Sequence, residues 1–411
     1  MKIKILSPVH IGSGERKNKL SFILKNNNAY FINEDLFASL ITTEGLIDKF
    51  IQWATGGGSD ISEFLKGYPQ IEKKLIENPL YVLPIKEDFS REVLLHIKDA
   101  NNKFYIPGSS IKGAIRTALL YTVLQERKPD ININHLLYGI NGTDIRGVLN
   151  VSEGKWAGME IEKFIFRAGF RKKDGIISYS DAKYDLLKFI QFSDAYPLEA
   201  NYSLMPIRTF SSVSEKEMKI TYINIVEVIE SGEFTFNLEI DMKGLLALKN
   251  IDEKDEWLGL KEKFKNIFGF NLDELNNNNL EEYKEKIIKR LLFACLKFYQ
   301  KKRESDLAFI DNKEVRDKNI SFNLESLKKN YPEVKEGVIQ LGFGGGWKGK
   351  TIGMYFDQKT IDEFRKRFPK RWRGKIKNGS PSWPFPKTLR LAYWCKNNKP
   401  FIFPLGWISL E

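Results

Sequence analysis

The stretch IPGSSIKGAIRTALLYTVL, Ile106 to Leu124, constrains the fold more than any other part of the chain. Behind a Pro-Gly turn, Ile111, Ala114, Ile115, Ala118 and Leu119 recur at i, i+3, i+4, i+7 and i+8, the spacing that gathers apolar side chains on one side of an α-helix. Such a stripe has to lie on a core, and Ser109 and Ser110 are placed to cap its start. The flanking runs alternate with period two instead. KIKILS sets Ile3 and Ile5 against lysines, LSFILKNNNAYFIN reads as a hairpin turning at Asn26 to Asn28, and EFTFNLEID puts Phe234, Phe236, Leu238 and Ile240 on one face. The expected class is α+β. At 411 residues the chain exceeds one ordinary core, and about two or three domains are expected. We place one over residues 1–245 and another over 246–411, the second containing a helical, charged segment at 252–303, the loop Asn276 to Asn279 and a glycine-loop region at 338–411.

Two cysteines, Cys295 and Cys395, and three histidines, His10, His96 and His135, leave no disulfide framework and no His- or Cys-based metal site. No cofactor is expected, although a carboxylate-only magnesium site stays open. The first ten residues alternate like a strand, and no apolar run reaches spanning length, so a cytoplasmic protein without a membrane partner is expected. The net charge of +12 is unevenly placed: Val338 to Glu411 holds 15 Lys+Arg against 4 Asp+Glu, and five of the eight tryptophans, Trp347, Trp372, Trp383, Trp394 and Trp407. Cations neutralise phosphates and flat rings stack on unpaired bases, so this mixture suits a single-stranded nucleic acid. A solvated basic surface over a Trp-rich core has the same composition. The run RKRFPKRWRGKIK, which contains Arg371 and Arg373, is broken by Pro369 and Gly374 and cannot be one amphipathic membrane helix.

Three segments carry anion-binding chemistry. The helix that starts near Ser110 offers unpaired N–H groups behind the Gly108 turn, with Lys112 and Arg116 one turn apart. A capped helix with a solvated basic face is the bland alternative. The loop SPVHIGSGE, Ser7 to Glu15, follows the first strand with glycines, serines and His10. As a catalytic base His10 lacks an identifiable carboxylate to orient it, and a histidine at a strand end commonly has a structural role. Finally, Gly344 to Thr351 fits the G-x-x-x-x-G-K-[ST] pattern. A nucleotide-binding P-loop needs a following helix and a downstream strand ending in a magnesium-binding acid. Here Gly353 interrupts the helix, and Asp357, Asp362, Glu363 and Glu411 end no apolar strand. What remains is a loop of backbone amides with Lys348, Lys350 and the Trp347 ring, unless its glycines only let two elements pack closely.

SPVHIGSGE, YIPGSSIKGAIRTAL, IQFSDAYP, VEVIESGEFTFNLEID and GFGGGWKGKT, in this order, resemble the RAMP superfamily of CRISPR proteins. With the C-terminal PKTLRL…FPLGW the order is more narrowly similar to the family forming the fifth subunit of type III-A Csm complexes. The motifs span Ser7 to Trp407 and cover 250–330 least. The resemblance implies two ferredoxin-like (RRM-like) βαββαβ domains of the RAMP type, with a helical insertion between them or within the second, and glycine-rich loops along a path for CRISPR RNA. It implies a non-catalytic subunit at the 3′ end of the guide, needed for its maturation, with the backbone RAMP subunit, the small subunit and host ribonucleases as partners. The RNA-facing candidates carried over are Gly12, Ser13 and Gly14; Gly108, Ser109, Ser110, Lys112 and Arg116; and Gly344, Gly345, Gly346, Lys348 and Lys350, the lysines on charge alone. Trp347, Arg371 and Arg373 join them as stacking and phosphate candidates. The target-cutting aspartate of RAMP backbone subunits has no match; of the available Asp35 and Asp194, the latter reads as a strand end bonded to a turn. Two other functions stay open: a metal-independent RAMP endoribonuclease that processes precursor CRISPR RNA with His10 near a lysine, and a P-loop NTPase.

Overall fold

A computed structural model describes residues 1–127, 159–214, 216–311, 313–317, 320–367, 376–377, 380–381, 386–397 and 399–411. The chain opens with β1 (Lys2–Ile5), β2 (Gly12–Lys17), β3 (Phe22–Lys25) and β4 (Asn28–Phe31). Four short helices follow, α1 (Glu34–Thr43), α2 (Ile47–Thr55), α3 (Ile61–Leu65) and α4 (Pro69–Glu77), then β5 (Tyr81–Pro84), β6 (Val93–His96) and α5 (Gly108–Arg127). Further on come β7 (Ile190–Phe192), the long hairpin β8 (Tyr196–Ser212) and β9 (Glu217–Thr235), and two helices, α6 (Leu260–Phe268) and α7 (Leu280–Ile310). The last part supplies β10 (Val338–Gln340), α8 (Gly346–Lys350), β11 (Thr388–Lys396), β12 (Lys399–Phe403) and β13 (Trp407–Leu410). The fold is mixed α/β.

The main sheet runs β10-β13-β1-β9-β8-β11-β12, and its four central strands pair antiparallel. In chain order β1, α5, β8, β9, α7 and β13 form a β-α-β-β-α-β succession. The helices α5 and α7 pack together, with the Tyr121 and Phe298 rings 5.3 Å apart and the Tyr299 hydroxyl donating to the Ala114 carbonyl at 3.2 Å. The stripe expected on α5 is where the sequence places it: Ile111, Ile115, Ala118 and Leu119 are buried beside Ile287, Leu291 and Phe298 of α7. Each fully buried Ile or Leu there contributes about 1.5–3 kcal/mol. The sheet crosses residue 245, because β1 pairs with both β9 and β13 and β8 pairs with β11. The segment 252–303 supplies α6 and most of α7, both in the main core.

Other local expectations fare unevenly. The β3–β4 hairpin turns at Asn26 and Asn27, with φ of 51° and 57°, a left-handed geometry that asparagine tolerates. EFTFNLEID is not one strand: β9 ends at Thr235, and Leu238–Ile240 pairs separately with β7. The sequence alone does not announce α1 to α4, which enclose a second small core of Ile23, Ile41, Leu65, Ile71 and Leu75. Their starts are nevertheless conventional: Asn33 and Asp60 accept N-cap hydrogen bonds from Leu36 and Ser62, and Pro69 opens α4.

Candidate nucleic-acid interface

The three segments with anion-binding chemistry converge on one cleft of about 840 Å³. The β1–β2 connection contributes His10 and β2 itself Gly12, Gly14 and Arg16; α5 contributes Ser110, Gly113, Arg116 and Thr117; the glycine segment contributes Leu341 to Phe343 and Gly349 to Ile352. In β2 the ladder to β6 skips from Gly12 opposite His96 to Arg16 opposite Leu94, so residues 13 to 15 bulge outward. Ser13 stays with its own strands, its hydroxyl donating to the Leu95 carbonyl at 3.4 Å and accepting from the Glu15 N–H at 3.2 Å. The first loop and the glycine segment are joined where the Phe343 N–H donates to the His10 carbonyl at 2.9 Å. Gly342 makes this possible: its φ is +68°, and a Cβ would stand 2.1 Å from the His10 oxygen.

The α5 wall is less available than its composition suggests. The helix starts at Gly108, whose N–H donates to Asp194 Oδ1 at 2.8 Å, so a carboxylate from the β7–β8 connection already occupies the helix N-terminus. Ser109 and Ser110, expected as caps, lie inside the first turn. A Cβ on Gly108 would come within 2.1 Å of the Phe192 carbonyl, so glycine is required for the helix to approach β7. Lys112 donates to the Ile190 carbonyl at 2.7 Å, and burial lowers its pKa. Arg116 grips Asp185 with bonds of 3.2 and 2.9 Å and Glu162 with one of 2.5 Å. Burial alone would lower the Arg116 pKa, but these two carboxylates outweigh it and hold it above the ordinary value.

The glycine wall divides. Gly344 is buried, and a Cβ there would meet Leu405 at 2.4 Å, so this glycine serves close packing. Gly345 is buried beside the Lys350 stem and Gly346 is exposed. The Trp347 indole is half-buried and lies against Gly353, so it is packed on backbone and is not a free-standing plane. Lys348 donates to Ser305 Oγ of α7 at 2.5 Å, and burial lowers its pKa; its ammonium group turns away from the cleft. Lys350 lines the cleft, and partial burial followed by the Arg390 charge lowers its pKa. Arg390 lies 4.3 Å from the Phe343 ring centroid. Among the described residues neither Lys350 nor Arg390 has a carboxylate partner, whereas Arg16 faces Glu92 at 3.5 Å. Arg371, Arg373, Trp372 and Trp383 lie outside the described residues, and the Trp394 and Trp407 rings are buried. The P-loop geometry is absent: β10 pairs antiparallel with β13, α8 has only five residues, and the Thr351 hydroxyl donates to the Trp347 carbonyl at 2.8 Å.

Beneath the cleft lies a polar floor whose trace in sequence is one acidic residue in the apolar run Ile225 to Ile229. Glu227 is fully buried and accepts from the His96 N–H and the Tyr81 hydroxyl at 2.8 Å and from Lys98 at 2.7 Å. The His10 Nδ1–H donates to the Glu227 carbonyl at 2.7 Å. His96 Nδ1 accepts from the Ile11 N–H at 3.1 Å, which leaves its Nε2–H to donate to the Tyr105 carbonyl at 3.2 Å. Burial, then nearby Lys350, pushes the His10 pKa down to about 4; burial, then His10, pushes His96 down to about 3. Both rings are neutral at pH 7 and hold the first loop in place.

Among the described residues no three His, Cys, Asp or Glu side chains are placed to hold a metal ion, and no helix is long and apolar enough to cross a membrane. A Methanocaldococcus jannaschii protein named CRISPR system Cms protein Csm5 is 26% identical over the whole of this chain and 88% of its own length. A Streptococcus thermophilus protein of the same name is 31% identical over 30% of this chain and 38% of its own length. Among solved structures, a chain of a type III-A Csm–crRNA–target RNA ternary complex superposes with a TM-score of 0.69 at 24% identity, covering 100% of this chain and 99% of its own. The crystal structure of T. onnurineus Csm5 gives 0.62 at 20% identity, with full coverage of both chains. The RAMP superfamily model matches residues 2–347, and the chain belongs to that superfamily.

Proposed function

We propose that the chain is a non-catalytic RNA-binding subunit of a type III-A CRISPR effector complex. It holds the CRISPR RNA at its 3′ end, caps the row of backbone RAMP subunits and supports guide maturation in the cytoplasm. The carrying observation is the convergence of three glycine-containing segments on one cleft where Lys350, with Arg390 beside it, has no carboxylate partner among the described residues. The names of the relatives, a Csm5 protein and a chain of a Csm–crRNA–target RNA complex, support the assembly reading; in this reading the backbone RAMP subunit, the small subunit and guide-trimming host ribonucleases are the partners. The β1-α5-β8-β9-α7-β13 succession supports a ferredoxin-like unit. In this reading the two RAMP-type units, 1–245 and 246–411, interpenetrate, and the second lends the first its α7 and β13. Affinity comes from phosphate contacts, so single-stranded RNA binding to the full chain should fall with the logarithm of salt, by about 0.7 in slope per contact. Lys350→Ala should remove about one such contact, and an unchanged slope would sink the reading.

A neutral His10 sharing the cleft with Lys350 is the observation that favours the endoribonuclease. Its Nδ1 is tied to a backbone carbonyl and not to a carboxylate. Repeat RNA incubated with the protein in EDTA should therefore stay intact, and discrete fragments would establish the nuclease.

A further inference from the structure

We infer that the bound RNA does not end at the cleft but continues over the β11–β12 hairpin, where a base stacks on Phe401. The inference rests on the RNA-binding reading above and adds a second, separate contact surface. Alternation along β11 puts Arg390, Ala392, Trp394 and Lys396 on one face. The register places Ala392 opposite Phe403, Trp394 opposite Phe401 and Lys396 opposite Lys399, so the cross-strand partners share that face.

Phe343, Trp394 and Phe403 belong to one apolar cluster. A continuous floor therefore leads from Phe343 in the cleft wall to the hairpin. On it Trp394 stacks on Phe401 with centroids 5.4 Å apart and planes at 5°, and on Phe403 at 5.6 Å and 23°. Trp394 is 7% exposed, but Phe401, at the end of the stack, is 37% exposed. It is a rigid ring backed by a second ring, with area left to cover, which is what a nucleobase stacks on.

The charges around this floor choose the occupant. Arg390 stands at its start over Phe343, and Lys86 lies 5.9 Å from the Trp394 centroid, although Lys86 also pairs with Glu230 at 2.7 Å. At the far end Lys396 and Lys399 are directly opposite each other and both exposed. Like charges facing across a hairpin destabilise it, and a polyanion laid between them would reverse the sign of that interaction. An aromatic platform bordered by cations fits an extended single strand of RNA.

The test uses the full chain and oligouridylates of about 5 and about 16 nucleotides, the shorter filling only the cleft. Phe401→Leu should weaken binding of the longer oligonucleotide about tenfold and leave the shorter unchanged, while Phe401→Tyr should retain both. Lys396→Ala with Lys399→Ala, at exposed positions where folding is secure, should lower the salt slope for the longer one only. Lys350→Ala should weaken both. If the hairpin variants bind the longer RNA like the parent while Lys350→Ala weakens both, the extension is overturned and the cleft stands. If Lys350→Ala has no effect either, the cleft reading falls as well. Hairpin variants that keep RNA affinity but lose a neighbouring subunit in the reconstituted complex would assign this face to a protein, and that also overturns the inference.

Discussion

The two walls of the cleft are both lined with cations, but only one has charge to offer. On α5, Lys112 donates to a backbone carbonyl and Arg116 is held by Asp185 and Glu162, while Asp194 occupies the helix N-terminus. Across the gap, Lys350 and Arg390 meet no carboxylate among the described residues, and the pKa of each is lowered, mainly by burial, instead of being raised by a partner. A phosphate approaching α5 would compete with carboxylates already in hydrogen-bonding contact, whereas one approaching Lys350 relieves a cation of its like-charged neighbour. Counting basic residues thus overstates one wall and does not single out Arg390 beside the other.

The contrast can be broken most forcefully at the seam that joins the first loop to the glycine wall. Gly342→Ala combines a left-handed φ with a backbone clash and should cost more than about 3 kcal/mol, read as a lowered urea midpoint with RNA binding lost. A smaller effect is expected from acid acting on the floor beneath. The folded His10 pKa lies near 4, below the ordinary 6.5, so the folded state binds fewer protons. The stability tied to this neutral ring is complete above pH 6.5 and is lost as pH falls through about 4, up to about 3 kcal/mol. Denaturation midpoints that stay constant from pH 7 to pH 4 would contradict this. Arg116→Ala should destabilise by about 2 kcal/mol, because it leaves Asp185 without its main partner. The salt slope of RNA binding should stay unchanged, and a shallower slope would return α5 to the RNA path. Smallest of all is Lys348→Ala: stability should shift by less than about 1 kcal/mol and the slope not at all, in contrast to Lys350→Ala.

Local pattern carries α5, the β3–β4 hairpin and β1 because each is decided within a few residues: Ile111 to Leu119 repeat every helical turn, and Asn26 and Asn27 accept the turn backbone. The segments that line the cleft could be located, since parts of all three, Ser110 and Lys350 among them, do meet. The sequence could not say which way each cation points. Lys348 is directed to Ser305, Arg116 to Asp185 and Lys112 to Ile190, partners 43, 69 and 78 residues away, and only the packed fold brings them within reach. The same holds for Glu227, which serves Tyr81, His96 and Lys98 from a strand that alternation alone would read as apolar. EFTFNLEID misleads for the opposite reason: its alternation is unbroken, yet Leu238–Ile240 leaves the main sheet for β7.

The first and last strands lie side by side, with the Lys2 N–H donating to the Glu411 carbonyl at 2.7 Å and the Glu411 N–H to the Lys2 carbonyl at 2.9 Å. During synthesis β1 keeps one flank bare even after β9 has paired with it, and waits until β13 is translated before the central sheet can close. A product that stops short of Trp407 would carry two open strand edges and an empty hole where the largest buried ring belongs, a defect that cellular proteases readily find.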